Sequence, residues 1–383
     1  MGSPSRLPWV DHLRTFAIFL VVCMHACVTY SHVGDWYFMA DRDPPMGEKV
    51  FFIFWQGHLQ SFFMGLLFLL AGYFAHASLT RRGAGAFLRE RLVRLGLPTL
   101  LYMLVIHPAI VIGLNPWDHA FGSKLAWYRR FVLSGEFFGE SGPLWFAFAL
   151  LLFCSLLVGW RQFRPFAPPP SPSIAVPPTS AQLWLFAIGL ALATFLVRTV
   201  QPIGTNVLNF QLCFFPQYIA AFLAGLAAAR GGWLVPLART ARASRAGWLG
   251  LIGGPILLAV VLMLGGPLPS GGAISYFGGW NPQAFGLAAW EQLTGVALGL
   301  GCLTLFARLL NVDHPVLRWL SDRSFAMYVL HAPVLVALTM LFRPLETAHG
   351  PFMLAALLTI TGLLASYALA DIAKRIPGLR SIL

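Results

Sequence analysis

Apolar runs of helical length alternate along this chain with short polar segments that are mostly basic. An α-helix rises 1.5 Å per residue, so about 20 consecutive, mostly apolar residues cross a bilayer. Ten stretches qualify, at roughly 13–33, 51–76, 95–114, 144–160, 182–200, 210–229, 247–266, 284–307, 324–342 and 351–371. The pattern predicts an all-α, polytopic integral membrane protein with about ten transmembrane helices. The basic residues check that count independently. The N-terminal segment, every second loop and the C-terminal segment together hold eighteen Lys and Arg, against six in the other loops. By the positive-inside rule both termini are then cytoplasmic.

The first apolar stretch follows Met1–His12 with no charged start and small-residue cleavage site in order, so it is expected to be its own insertion signal. Pro165–Pro178 reads PFAPPPSPSIAVPP, which predicts an extended, semi-rigid cytoplasmic linker within residues 161–181. A spacer between two halves is favoured over a docking site for a partner. No internal repeat is visible, so residues 1–383 are expected to form one membrane domain, with 34–50 and 115–143 as the longer external loops.

Composition agrees with the pattern and closes off other classes. The 383 residues are 58% hydrophobic and 10% charged, whereas a soluble domain is about 25% charged. The net charge of +12 is dealt out between apolar runs, where it reports orientation and gives no indication of nucleic acid. Cys23, Cys27, Cys154, Cys213 and Cys302 all lie within apolar runs, with neither a disulfide framework nor metal-ligand spacing. Nucleotide-binding, serine-hydrolase and zinc-hydrolase motifs are absent in any usable context.

Ionisable groups inside the apolar runs need a reason, because each costs a few kcal/mol there. In the first helix Arg14 and His25 are eleven residues apart, a turn of about 1100° that returns within about 20° of the same face, with a separation of about 16 Å along the axis. Counted from the outer ends of their helices, His25, His58 and Glu291 fall at about one depth. Gly65 and Gly72 beside His58, and Gly295 and Gly299 after Glu291, turn these groups toward the bundle. Ser324, Tyr328 and His331 form a further polar stripe that suits packing and function equally. Arg91 and Arg94, three apart, are expected to present adjacent guanidinium forks that suit phosphate, although a purely topogenic role explains their charge as well.

Several segments resemble the acyltransferase-3 family of polytopic membrane proteins, and its periplasmic glucan succinyltransferase branch most of all. They are Asp11-x-x-Arg14 followed by ten residues and His25, SFFMGLLFLLAGYF ending at Phe74, RERLVRLGLP ending at Pro98, GPLWFAFAL from Gly142 and SFAMYVLHAP from Ser324. Arg375-Ile376-Pro377 and the step from Glu291 to Gly299 are similar too. The likeness spans nearly the whole chain with the motifs in order. It departs at Ala71, where the family often has Ser, and at Gly65, where it often has Pro.

The resemblance implies ten core helices in a bacterial inner membrane and acyl-CoA, as acetyl-CoA or succinyl-CoA, as co-substrate. The acceptor it implies is an extracytoplasmic glycan or glycolipid. By position Arg14 and His25 match the family's essential pair and Arg91 with Arg94 its R-x-x-R. On this reading the arginines hold the donor phosphates, His25 is the general base or, alternatively, carries the acyl group, and Glu291 orients the imidazole or stabilises its cation. His58, Tyr328 and His331 are the substrate-binding candidates. A transporter or flippase of a glycan or lipid-linked sugar is the rival reading; it explains the polar layer but not the arginine pair below His25.

The topology is open to a direct test. A cysteine placed at Ala175 in the proline-rich linker should be refractory to a membrane-impermeant thiol reagent added to intact cells and should react once the membrane is opened. Labelling from outside would overturn the orientation.

Overall fold

The computed structural model describes residues 7–114, 116, 122–163, 175–265 and 274–383. Among these, ten helices are long and apolar enough to cross a membrane: α1 (Pro8–Ser31), α2 (Met46–Arg82), α3 (Ala84–Leu114), α4 (Gly142–Phe163), α5 (Ser180–Arg198), α6 (Leu212–Gly231), α7 (Ala241–Leu264), α8 (Pro282–Leu309), α9 (Pro315–Thr347) and α10 (Pro351–Arg375). The chain is thus an all-α, polytopic membrane protein. Ten crossings return the chain to the side where it began, called here the terminal side; the opposite one is the far side. Most of the proline-rich segment, 164–174, lies outside the described residues.

Several helices outrun the apolar windows read from sequence. The helix α2 gains residues at both ends, α3 takes in the basic segment from Ala84, and α9 starts at Pro315. A hydropathy window finds only the part that lipid or core must cover. Charged helix formers extend the same hydrogen-bonded rod beyond it. Beside the spans, a short helix at Lys124–Leu133, capped by the Ser123 side chain, lies between α3 and α4 on the far side.

The centre of the bundle is α2, which packs most extensively on α6 and also on α8 and α1. On one flank α1, α9 and α10 pack together; on the other, α5 and α7 pack on α8. Contact between α2 and α6 is close enough to need glycine on both helices. A Cβ on Gly72 would stand 2.1 Å from the Phe222 carbonyl oxygen, and one on Gly225 would stand 2.0 Å from that of Leu69. Gly295 of α8 meets Ser61 of α2 in the same way, at 2.0 Å, but Gly299 has open space beside it. The small-residue face predicted for α2 and α8 is therefore real as far as Gly295.

Prolines shape α3. Proline has no N–H to donate, and its ring presses on the carbonyl four residues earlier. The helix answers by widening: π-helical turns at Leu92–Gly96, Tyr102–Ile106 and Ile110–Leu114 each end two residues before a proline, at Pro98, Pro108 and Pro116, and Leu249–Gly253 in α7 does the same before Pro255. Carbonyls along the widened stretches find other donors. Thr99 Oγ1 donates to the Leu95 oxygen at 2.7 Å, Tyr128 Oη to that of Leu104 at 3.2 Å, and Lys124 Nζ to that of Ile112 at 2.5 Å. The last two donors come from the short far-side helix, which is thereby tied to α3.

Overpacking a core typically costs about 1–3 kcal/mol, and here backbone stands where the new atoms would go. Gly225→Leu should therefore lower the thermal unfolding midpoint of the purified protein markedly, whereas Gly299→Ala should leave it unchanged. Equal melting curves for both variants would disprove the close crossing.

Candidate active site

His25 lies six residues, about 9 Å, from the far-side end of α1. Its Nδ1 is 3.0 Å from His331 Nε2 on α9, and His331 Nδ1 is in turn 2.6 Å from the Tyr328 carbonyl oxygen. His331 is fully buried, while His25 is only partly buried. One face of the His25 ring is covered by Trp36, stacked with centroids 4.0 Å apart and planes 16° from parallel.

Trp36 belongs to the loop between α1 and α2, and that loop is held by its own bonds. His32 adopts φ 56° where α1 stops, and its Nε2 meets the Ala40 carbonyl at 2.7 Å. Ala40 N donates to the Thr29 oxygen at 2.8 Å, and Gln56 Nε2 of α2 donates to the Val33 oxygen at 3.0 Å. These contacts fix the indole over the imidazole.

The start of α4 forms the opposite wall. Gly142 has φ 48°, and a Cβ there would lie 2.7 Å from both the Tyr37 and Tyr102 hydroxyl oxygens. The next residue, Pro143, accepts a hydrogen bond from Tyr328 Oη. Only glycine fits where the backbone threads between these tyrosines, which gives the GPLW motif a physical reason. Tyr37 Oη continues to Tyr102 Oη at 2.9 Å and to His107 Nδ1 at 3.1 Å, with Glu140 Oε2 3.6 Å from the same nitrogen. Burial, reinforced by Asp35 and Glu136, pushes the Glu140 carboxyl above its ordinary range. Burial likewise raises the Tyr37 hydroxyl.

The expectation that Glu291 orients His25 is corrected by its actual partners. Arg198 Nη2 of α5 donates to Glu291 Oε2 at 2.7 Å, and Gln292 Nε2 donates to Oε1 at 2.8 Å, so both carboxylate oxygens are engaged. Gln217 of α6 extends the network, its Nε2 donating to Gln292 Oε1 at 3.0 Å and to the Ser61 carbonyl at 2.6 Å. Arg198 is fully buried and also lies over the Phe214 ring, 5.2 Å from its centroid. In the sequence it is only a basic residue at the end of an apolar run.

His58 also sits elsewhere. Its Nδ1 meets the Phe54 carbonyl at 2.6 Å, its ring stands edge-on to Trp290 with centroids 5.1 Å apart, and its Nε2 faces Gly254 of α7. Three groups of similar depth therefore occupy three seams: His25 between α1 and α9, His58 between α2, α7 and α8, and Glu291 between α5 and α8. Depth follows from residue count, but the seam depends on which helices are neighbours. Tyr328 and His331, the other substrate-binding candidates, are spoken for as well, by Pro143 and by His25.

On the terminal side the arginines diverge. The π turn that begins at Leu92 separates Arg91 from Arg94, contrary to the adjacent forks expected of a regular helix. Arg91 lies over Phe87, 5.0 Å from the ring centroid, whereas Arg94 is exposed and 3.9 Å from Glu90. An open cleft here is lined by Gly85, Ala86, Arg89, Glu90, Arg94 and, from the C-terminal segment, Ser381. Arg89 therefore joins Arg94 at a cleft that sequence alone does not reveal. Arg14 is half-buried, with Asp11 at 3.5 Å.

The Arg198–Glu291 pair yields a stability prediction. Removing one partner of a buried pair typically costs about 3–5 kcal/mol because the other charge stays behind. Glu291→Gln should sharply lower the unfolding midpoint, and adding Arg198→Met should restore part of it. A Glu291→Gln protein as stable as the wild type would show that the pair does not hold the fold.

Comparison with known proteins adds the last piece. No curated protein matches the chain. A family model described as an acyltransferase domain, however, matches residues 7–371, spanning the histidine pair, the arginines of the cleft and all but the last few residues of the final helix. The chain belongs to the acyltransferase-3 family and is a membrane acyltransferase.

Proposed function

We propose that this protein is an O-acyltransferase of a bacterial cytoplasmic membrane. It takes an acetyl or succinyl group from acyl-CoA on the terminal, cytoplasmic side and delivers it to a hydroxyl of a glycan or glycolipid on the far side. The observation that carries the reading is the partly buried His25, its Nδ1 held by His331, within a bundle whose two ends differ in charge. The terminal side holds the arginine cleft, which suits the phosphates of a CoA nucleotide. On the far side the half-exposed Glu140, beside His107 and the tyrosines, is assigned to an incoming hydroxyl.

In the reaction His25 accepts the proton of the acceptor hydroxyl as its oxygen attacks the thioester carbonyl. The tetrahedral adduct then expels the CoA thiolate, which takes the proton back from the imidazolium. An ester and free CoA thiol result, and the histidine is regenerated. An acyl-histidine intermediate would use the same ring edge. Arg14, Arg89, Arg91 and Arg94 are assigned to the donor, with Arg89 and Arg94 meeting its phosphates at the cleft. Glu291 and His58 are left outside the chemistry because their hydrogen bonds commit them to other seams. The resemblance to the periplasmic glucan succinyltransferase branch favours succinyl-CoA and a glucan among the candidates.

Membranes carrying the protein should release CoA thiol from acetyl-CoA or succinyl-CoA and pass labelled acyl groups into glycan. His25→Ala should abolish this while leaving the protein folded. A charge-assisted bond to phosphate contributes about 1.5–3 kcal/mol, so Arg94→Ala should raise the apparent donor constant about tenfold or more, with no comparable change for the acceptor. A protein that moves a lipid-linked sugar without consuming either donor, or a His25→Ala variant with full turnover, would sink the reading.

A further inference from the structure

The contacts of His331 carry more than its place beside His25, because they decide which nitrogens hold hydrogen. Its Nδ1 is 2.6 Å from the Tyr328 carbonyl oxygen. A carbonyl only accepts, so this nitrogen carries a hydrogen. The ring is fully buried, and its hydrogen-bond and ring partners are Tyr328, His25 and Trp36, none of them an anion. A second proton would leave an unpaired charge in that site. His331 Nε2 is therefore a bare lone pair, and it must accept from His25 Nδ1 across the 3.0 Å contact. With its own Nδ1 hydrogen committed, neutral His25 has a bare Nε2.

We propose that His331 is a positioning residue that fixes His25 in the tautomer with hydrogen on Nδ1, so that Nε2 is the base. The proposal rests on the reading of His25 as that base. It assigns to a neutral imidazole, anchored on a backbone carbonyl, the orienting work that a carboxylate performs in a hydrolase triad. The tautomer matters because imidazole in water prefers its hydrogen on Nε2, which would leave nothing there to take a proton. Trp36, stacked on the His25 ring, keeps the ring from turning to exchange its two nitrogens.

The arrangement also sets where the proton goes. When Nε2 takes the hydroxyl proton, the Nδ1–H bond to His331 becomes charge-assisted and strengthens as charge develops. The proton on His25 Nδ1 can shift toward His331 Nε2, but the relay ends there, since the Tyr328 carbonyl cannot accept His331's own hydrogen as a transferred proton. The charge stays on the histidine pair until the departing CoA thiolate removes it through His25 Nε2. Bonds and protons then balance without exchange with solvent.

The test has one readout that does not depend on turnover. With histidine labelled in both ring nitrogens and the protein held in lipid nanodiscs, nitrogen NMR distinguishes protonated from bare nitrogens. His25 can be assigned by difference against His25→Gln. The wild type should show His25 with hydrogen on Nδ1 and a bare Nε2, and His331→Ala should move that hydrogen to Nε2. His25 already protonated on Nε2 in the wild type, or unmoved in His331→Ala, overturns the proposal.

The second readout is kinetic. Release of CoA thiol from acetyl-CoA or succinyl-CoA should fall in kcat about a hundredfold or more in His331→Ala, with the apparent donor constant within about twofold; by comparison, a wrong tautomer in a serine protease costs about 10⁴ in kcat. His331→Gln, whose side-chain oxygen can accept as Nε2 does, should recover at least tenfold of that loss. Equal losses in the Gln and Ala variants would return His331 to a packing role. A wild-type protein that consumes neither donor would sink the proposed function alone, with the tautomer still decided by the nitrogen spectra.

Discussion

A polar group within the hydrocarbon of a bilayer has no water to bond with, so it must find its partner inside the protein. Much of this architecture follows from that constraint. Prolines in α3 and α7 free carbonyls, the helices widen into π turns ahead of them, and Thr99, Tyr128 and Lys124 supply donors along α3. The same demand pairs Arg198 with Glu291 and draws Gln292, Gln217 and the Ser61 carbonyl into one network across α2, α5, α6 and α8. Among the described residues a few buried atoms, such as Thr194 Oγ1 and Ser366 Oγ, have no hydrogen-bond partner within the protein. The bulk of the polar interior is nonetheless accounted for by side chains reaching between helices.

Such reach requires close helices, and close helices require small residues where they cross. Gly72, Gly225 and Gly295 let backbones approach to distances that any side chain would prevent. Gln217 shows the connection directly. It packs against Gly65, its amide bonds to the Ser61 carbonyl, and the Cβ that Gly295 lacks would stand 3.3 Å from the same amide nitrogen. Packing and polar satisfaction are thus one device: glycine brings α2, α6 and α8 together, and the amide ties what glycine has brought close.

The histidine pair obeys the same rule with a different result. His331 has both nitrogens engaged and is fully buried, whereas His25 engages one and is only partly buried. A group with a nitrogen to spare within a tightly bonded interior is where chemistry can occur. Its surroundings are tied by many contacts, with Trp36 stacked above it, the Gly142–Pro143 backbone held between tyrosines, and a loop bonded at His32, Ala40 and Val33. Support of this kind holds a reactive nitrogen in one orientation, as acid–base chemistry requires.

Hydropathy and the rise of a helix are local properties, and the sequence by itself determined what depends on them. That covers the all-α class, the ten spans, the glycine-rich face of α2 and the common stripe of Arg14 and His25. The motifs from Asp11 to Pro333 were equally legible as a family likeness. The identity of each polar group's partner was not, because residue counting fixes how deep a side chain lies but leaves open which helix stands opposite. Glu291 looks like a companion for His25 until α5 brings Arg198 to it; His331, read as one residue of an ambiguous stripe, proves to be the true neighbour. Arg91 and Arg94 part company for a related reason, since the π turn between them answers to a proline four residues beyond Arg94. Tertiary structure alone decided these pairings, since they arise from the packing of helices distant in sequence and from the carbonyls and charges that each packed helix must satisfy.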